Sequence, residues 1–128
     1  MNKIIPIDIY DTDMLLVVGT EGELKLSLEK YLGKDDAKEA YAVMAEDISD
    51  ISLGRSALLS SGQVVLWMPD DSDKGTQAHE IFHIVCYIMK KIGISLCNES
   101  NEAYAYLIGF ITNKVNDVLN SSCESPSQ

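Results

Sequence analysis

The chain is short of histidine and cysteine and has no long apolar run, and each shortage narrows what it can be. No stretch of about 18 consecutive apolar residues occurs among its 128 residues, so no membrane span is expected. The three cysteines, Cys86, Cys97 and Cys123, are an odd number without the spacing of a disulfide framework. That predicts reduced thiols in a cytoplasmic setting, with Cys86 packed in the core and Cys97 in a loop. Basic residues are also scarce, ten Lys and Arg against twenty Asp and Glu, for a formal net charge of −10. Nucleic acid and anionic membrane are poor partners for such a chain, because either needs a clustered basic surface. The opening MNKIIPIDIYD carries an early Pro and acidic residues, unlike a charged-then-apolar signal sequence. No internal repeat is visible.

The length fits one domain with a real core and is too short for two. Apolar runs at 4–10 and 14–18, separated by Asp11-Thr12-Asp13, predict a strand pair. Thr20 with Glu23 three residues on has the form of a capping box, followed by Leu24, Leu28, Tyr31 and Leu32 at helical spacing as far as Gly33. A second helix is expected from Asp35 or Asp36 to about Ala45, with Ala40, Val43 and Met44 inward. Runs at 56–60 and 63–68 meet at Ser61-Gly62, the sign of a hairpin, and Pro69 ends the second run. The acidic loop 70–73 leads into a helix expected over 76–92 and ended by Gly93. A last helix runs from Glu99 or Asn101 to Leu119, burying Tyr104, Leu107, Ile108, Ile111, Val115 and Val118. Residues 121–128 are expected to be a disordered tail, leaving 1–120 as the domain.

Both histidines of the chain fall in one run, His79-Glu80-Ile81-Phe82-His83. Residues four apart on a helix lie one above the other, so two imidazoles can reach one metal. A catalytic zinc takes three protein ligands and keeps a fourth position for water, and Glu80, about one helical step from His79, can reach that water as a general base. The expected apolar stripe of this helix is Ile81, Phe82, Val85, Ile88, Met89 and Ile92, and it leaves both histidines on a separate face. With no third histidine, the remaining ligand must be a carboxylate, a thiolate or an outside group. Glu102 is the choice, 18 intervening residues after His83, with Glu99 within a turn of it as runner-up. Ala105 and Gly109, small and four apart, flank the Glu102 side and would let the histidine helix approach closely.

His79, Glu80, His83, Asn101 and Glu102 together resemble the gluzincin branch of the zincin metallopeptidases, which carry HExxH on one helix and a glutamate ligand on a later one, often preceded by Asn. The resemblance covers about half of the chain and rests on spacing. It implies zinc held by His79, His83 and Glu102, with Glu80 as the base. It also implies that the strand 63–68 resembles the zincin edge strand, along which an extended peptide or protein substrate would pair. The chain departs from the thermolysin pattern where Tyr106 stands four residues after the glutamate, a place taken there by an Asp. No histidine remains to stabilise an oxyanion, and Tyr106 is a candidate substitute donor. In size the chain is similar to small zincin-like proteins of phages and prophages.

The expected fold is therefore α+β: a compact, minimal zincin-like domain with a small, mostly antiparallel sheet and two packed C-terminal helices carrying the metal site. The expected function is a zinc-dependent metallopeptidase, hydrolysing peptide bonds through a zinc-bound water. Two alternatives stand beside it: a zinc-binding but non-catalytic interaction module, and a regulatory protease of prophage type acting on one protein partner.

Overall fold

The computed structural model describes residues 1–45 and 54–123. The strands β1 (Asn2–Ile7) and β2 (Thr12–Val18) form the expected antiparallel pair, with Ile5 opposite Met14. The first is shorter than its apolar run, because Asp8–Tyr10 wind into a single 3-10 turn that Asp11 closes in the left-handed region, at φ 50°. Aspartate tolerates that conformation better than most residues.

The helix α1 (Glu21–Leu32) starts at the expected capping box: Thr20 Oγ1 accepts from the Glu23 N–H, and the Thr20 N–H donates to the Glu23 carboxylate. It ends at Gly33, whose φ of 79° suits glycine, although a Cβ there would meet nothing. The helix α2 (Lys34–Ala45) follows at once, the Ala37 N–H donating to the Gly33 carbonyl. It buries Ala37, Ala40 and Met44, whereas Val43, expected inward, is 41% exposed. At 100° per residue Val43 lies about 90° from the centre of that face, so the two small alanines take the place against the sheet.

The strands β3 (Arg55–Leu58) and β4 (Val64–Met68) form the second expected hairpin, and the full order is β1-β2-β4-β3. Two of the three pairings are antiparallel; β2 and β4 are parallel neighbours. A parallel pair needs a long crossover, supplied here by α1, α2 and β3. The segment 63–68 was expected to lie at the sheet edge. Instead β4 is interior, paired with β2 on one side and β3 on the other. All five of its residues are buried, and such an apolar run belongs inside a sheet. The edges are β1, where Pro6 fits because it has no N–H to donate, and β3.

Both sheet faces are covered, which makes three layers. Leu15, Val17, Val65 and Trp67 pack with Leu24, Leu28, Ala40 and Met44 of α1 and α2, and the Trp67 indole N–H donates to the Gly19 carbonyl at 3.0 Å. On the other face Met14, Leu16, Leu66 and Met68 pack with the two C-terminal helices, α3 (Lys74–Lys91) and α4 (Asn101–Cys123). The described residues thus form a compact α+β domain with a four-stranded, mostly antiparallel sheet and two packed C-terminal helices. None of its described helices is long and apolar enough to cross a membrane.

Asp73 caps α3 by accepting from the Thr76 N–H at 2.7 Å, so the helix begins two residues before Thr76. Its buried stripe is Ile81, Ile84, Val85, Ile88 and Met89; Phe82 and Ile92, expected there, are exposed. The helix ends in a Schellman motif: the Ile94 N–H reaches the Met89 carbonyl, the Gly93 N–H reaches that of Lys90, and Gly93 takes φ 78°. The helix α4 continues to Cys123, past the expected end at Leu119, with the Ser121 hydroxyl donating to the Asp117 carbonyl. The expected disordered tail therefore begins in helix, and residues 124–128 lie outside the described residues.

One tie between layers makes stability depend on pH. The Glu39 carboxylate on α2 accepts from the Ser60 hydroxyl at 2.7 Å and the Ser60 N–H at 2.8 Å, and these bonds, the hydroxyl first, hold its pKa below the ordinary 4.5. A carboxyl whose folded pKa is depressed adds stability above its unfolded pKa and loses it as pH falls through the folded value. The melting temperature should hold down to about pH 4.5 and then fall, and Glu39→Gln should reduce the acid-side fall. Melting curves across pH 2–7 check this.

Candidate metal centre

The N-terminal half of α3 carries the HExxH run. Gln77, Glu80, Ile81 and Ile84 turn toward the sheet, and His79 and His83 stand on the outward side. The His79 side chain is 67% exposed. The two ring Nε2 atoms converge to 3.2 Å, with ring centroids 4.8 Å apart. Two nitrogens each about 2.0–2.1 Å from one tetrahedral zinc stand about 3.3 Å apart, so the pair fits a shared ion. Tyr87, one turn on, stacks against His83 at 6.4 Å, and Phe82 lies tilted beside the same ring.

Glu80 is buried, as a carboxylate seldom is without a partner. Its partner is Ser56 on β3, whose hydroxyl donates to Oε1 at 2.9 Å. The other oxygen, Oε2, lies 3.9 Å from His79 Nε2, too far for a hydrogen bond and suited to a bridging water. The sequence reading did not single out Ser56, since one serine in a four-residue strand carries no pattern.

The β3 edge adjoins this group. The Leu59 N–H donates to the Gln63 carbonyl at 2.9 Å, and antiparallel alternation then turns the N–H and C=O of Ser56 and Leu58 away from β4. Ser56 thus points its side chain at Glu80 and its main chain away from β4, at an edge with which no other described strand pairs.

The residues expected from α4 stand elsewhere. Glu102, in the first turn, is exposed, and Tyr106 one turn later is 72% exposed. Neither has a hydrogen bond or ion pair among the described residues. The close approach expected at Ala105 and Gly109 does not occur: both are exposed, and a Cβ on Gly109 would meet nothing within 4 Å. The helix instead packs through Tyr104, Leu107, Ile111, Val115 and Val118. The run of α3 from His83 to Lys91 adds about 12 Å before the chain turns, which sets the first turn of α4 beyond the histidines. Glu99 lies in the connecting loop, its carboxyl held below the ordinary range by its own backbone N–H and then by the Cys97 thiol. Tyr104 fastens this loop, donating to the Ile94 carbonyl at 2.6 Å. Cys86 is half-buried against the core, and burial pushes its thiol pKa up. Among the described residues no three His, Cys, Asp or Glu side chains gather closely enough to hold a metal.

A cavity of about 850 Å³ opens on the far side of the sheet, between α1 and α2, lined by Lys25, Leu28, Lys38 and Tyr41 among others. Its lining does not include the histidine pair, which stands on α3 on the other face of the sheet, His79 exposed and His83 half-buried. No protein-family model matches the chain, and neither a curated protein nor a solved structure does.

Proposed function

We propose that the protein is a zinc-dependent metallopeptidase of zincin type. The observation that carries this reading is the convergence of His79 and His83 Nε2 atoms at 3.2 Å beside the buried carboxylate of Glu80. Bound zinc would polarise a peptide carbonyl and acidify a water. Glu80 would accept a proton from the attacking water and pass it to the leaving amine. The peptide would lie along β3, hydrogen-bonded to the outward main chain of Ser56 and Leu58. Glu102 remains the proposed third ligand, ahead of Glu99, and Tyr106 the proposed oxyanion donor. Both roles require the start of α4 to turn toward α3 on metal binding.

Zinc titrations of the two carboxylate variants test that part. Glu102→Ala should weaken zinc at least about tenfold, and Glu99→Ala should leave it near wild type. The reverse order would move the ligand to Glu99, and no effect from either would mean a ligand from outside the chain. Peptide-library cleavage by the zinc-loaded protein tests the activity itself.

The exposure of His79 supports a second reading, a zinc-binding interaction module without catalysis. A partner recovered intact after long incubation with zinc-loaded protein, with no library peptide cut, would favour it.

A further inference from the structure

We infer that Ser56 is a positioning residue for Glu80, aiming its carboxylate at the space beside the histidine pair; this rests on the metallopeptidase reading. Glu80 is one of three buried polar or charged residues among those described, with Ser27 and Gln77, and its one hydrogen bond among the described residues comes from Ser56. A buried carboxylate with a single hydrogen-bond donor among the described residues takes much of its orientation from that donor. With Oε1 occupied by the Ser56 hydroxyl, Oε2 is the oxygen turned toward His79, 3.9 Å from its Nε2. A carboxylate fixed in this way would face a water on a bound zinc without itself becoming a ligand, as a general base must.

The placement of Ser56 adds a second consequence. Its main chain lies on the edge of β3 with which no described strand pairs and its side chain on the base, so a peptide pairing with that edge would grip the residue that orients Glu80. The sheet holds Ser56 in register opposite Leu66 of the interior strand β4, which gives the hydroxyl a fixed origin.

The test uses the full chain carrying zinc for kinetics and Co2+ for absorption. Ser56→Ala should keep about one metal per chain, lower kcat about tenfold to a hundredfold with KM changed less than about twofold, and shift the visible Co2+ bands as the freed carboxylate reaches the metal. Ser56→Thr, which keeps the hydroxyl, should restore both. Wild-type kcat in Ser56→Ala, or a loss that Thr does not repair, overturns the inference while leaving the reading of Glu80 intact. If the wild-type protein cleaves nothing, the metallopeptidase reading fails by itself, and the Co2+ bands decide Ser56: unchanged bands in Ser56→Ala overturn it, and a shift reversed by Thr upholds it.

Discussion

Glu80→Gln is expected to keep its zinc and lose peptidase activity by about 10²- to 10⁴-fold, the usual worth of a general base. Glutamine matches glutamate in shape and can still accept the Ser56 hydrogen bond through its amide oxygen. It cannot take a proton from water. The substitution therefore separates base chemistry from metal binding, because the ligand nitrogens of His79 and His83 are untouched. A fall in KM-independent turnover at full zinc content supports the assignment. Full activity in Glu80→Gln would remove Glu80 from the mechanism, and equal loss of zinc and activity would make it a ligand or a structural group.

Ile84→Ala should destabilise the protein by about 2–5 kcal/mol, whereas Phe82→Ala should cost about 1 kcal/mol or less. Ile84 is fully buried between the sheet and α4, and Phe82 is 42% exposed on the flank of α3. Against a typical total of about 5–15 kcal/mol, the first loss is large enough to shift the denaturation midpoint strongly. The contrast also reports on the site, since the rotation of α3 that buries Ile84 turns Glu80 toward Ser56 and the histidines outward. Urea denaturation of both variants measures it. Equal losses, or a larger one for Phe82→Ala, would mean that α3 sits on the sheet with another face.

Much of this arrangement was legible locally. The Thr20 and Glu23 capping box, the Ser61-Gly62 turn and the Gly93 helix stop are contacts between residues close in sequence, so their patterns carry their geometry. The histidine pair is legible for the same reason, being one turn of one helix. Strand order is a different matter. The hairpin signal paired β3 with β4 but held nothing about β2 docking on the far side of β4, which moved the free edge to β3. The uninterrupted apolar run Val64–Met68 was the available sign, since an edge strand would alternate. Faces of helices were readable only to about 100°, enough to place Val85 and Met89 inward but not to choose Ile84 over Phe82. Ser56 and Glu80 lie 24 residues apart and meet only through the β3 and α3 packing, so no local pattern announces them. Ala105 and Gly109 show the opposite error, small residues that would admit a neighbouring helix but stand exposed among the described residues.

Zinc titration by calorimetry of the metal-stripped protein, beside His79→Ala and His83→Ala, addresses the central claim most directly. The account predicts about one zinc per chain in the wild type and an affinity at least about a hundredfold weaker in each variant, more than outer-shell changes cost. Wild-type affinity in either histidine variant, or no zinc bound by the wild type, would contradict it.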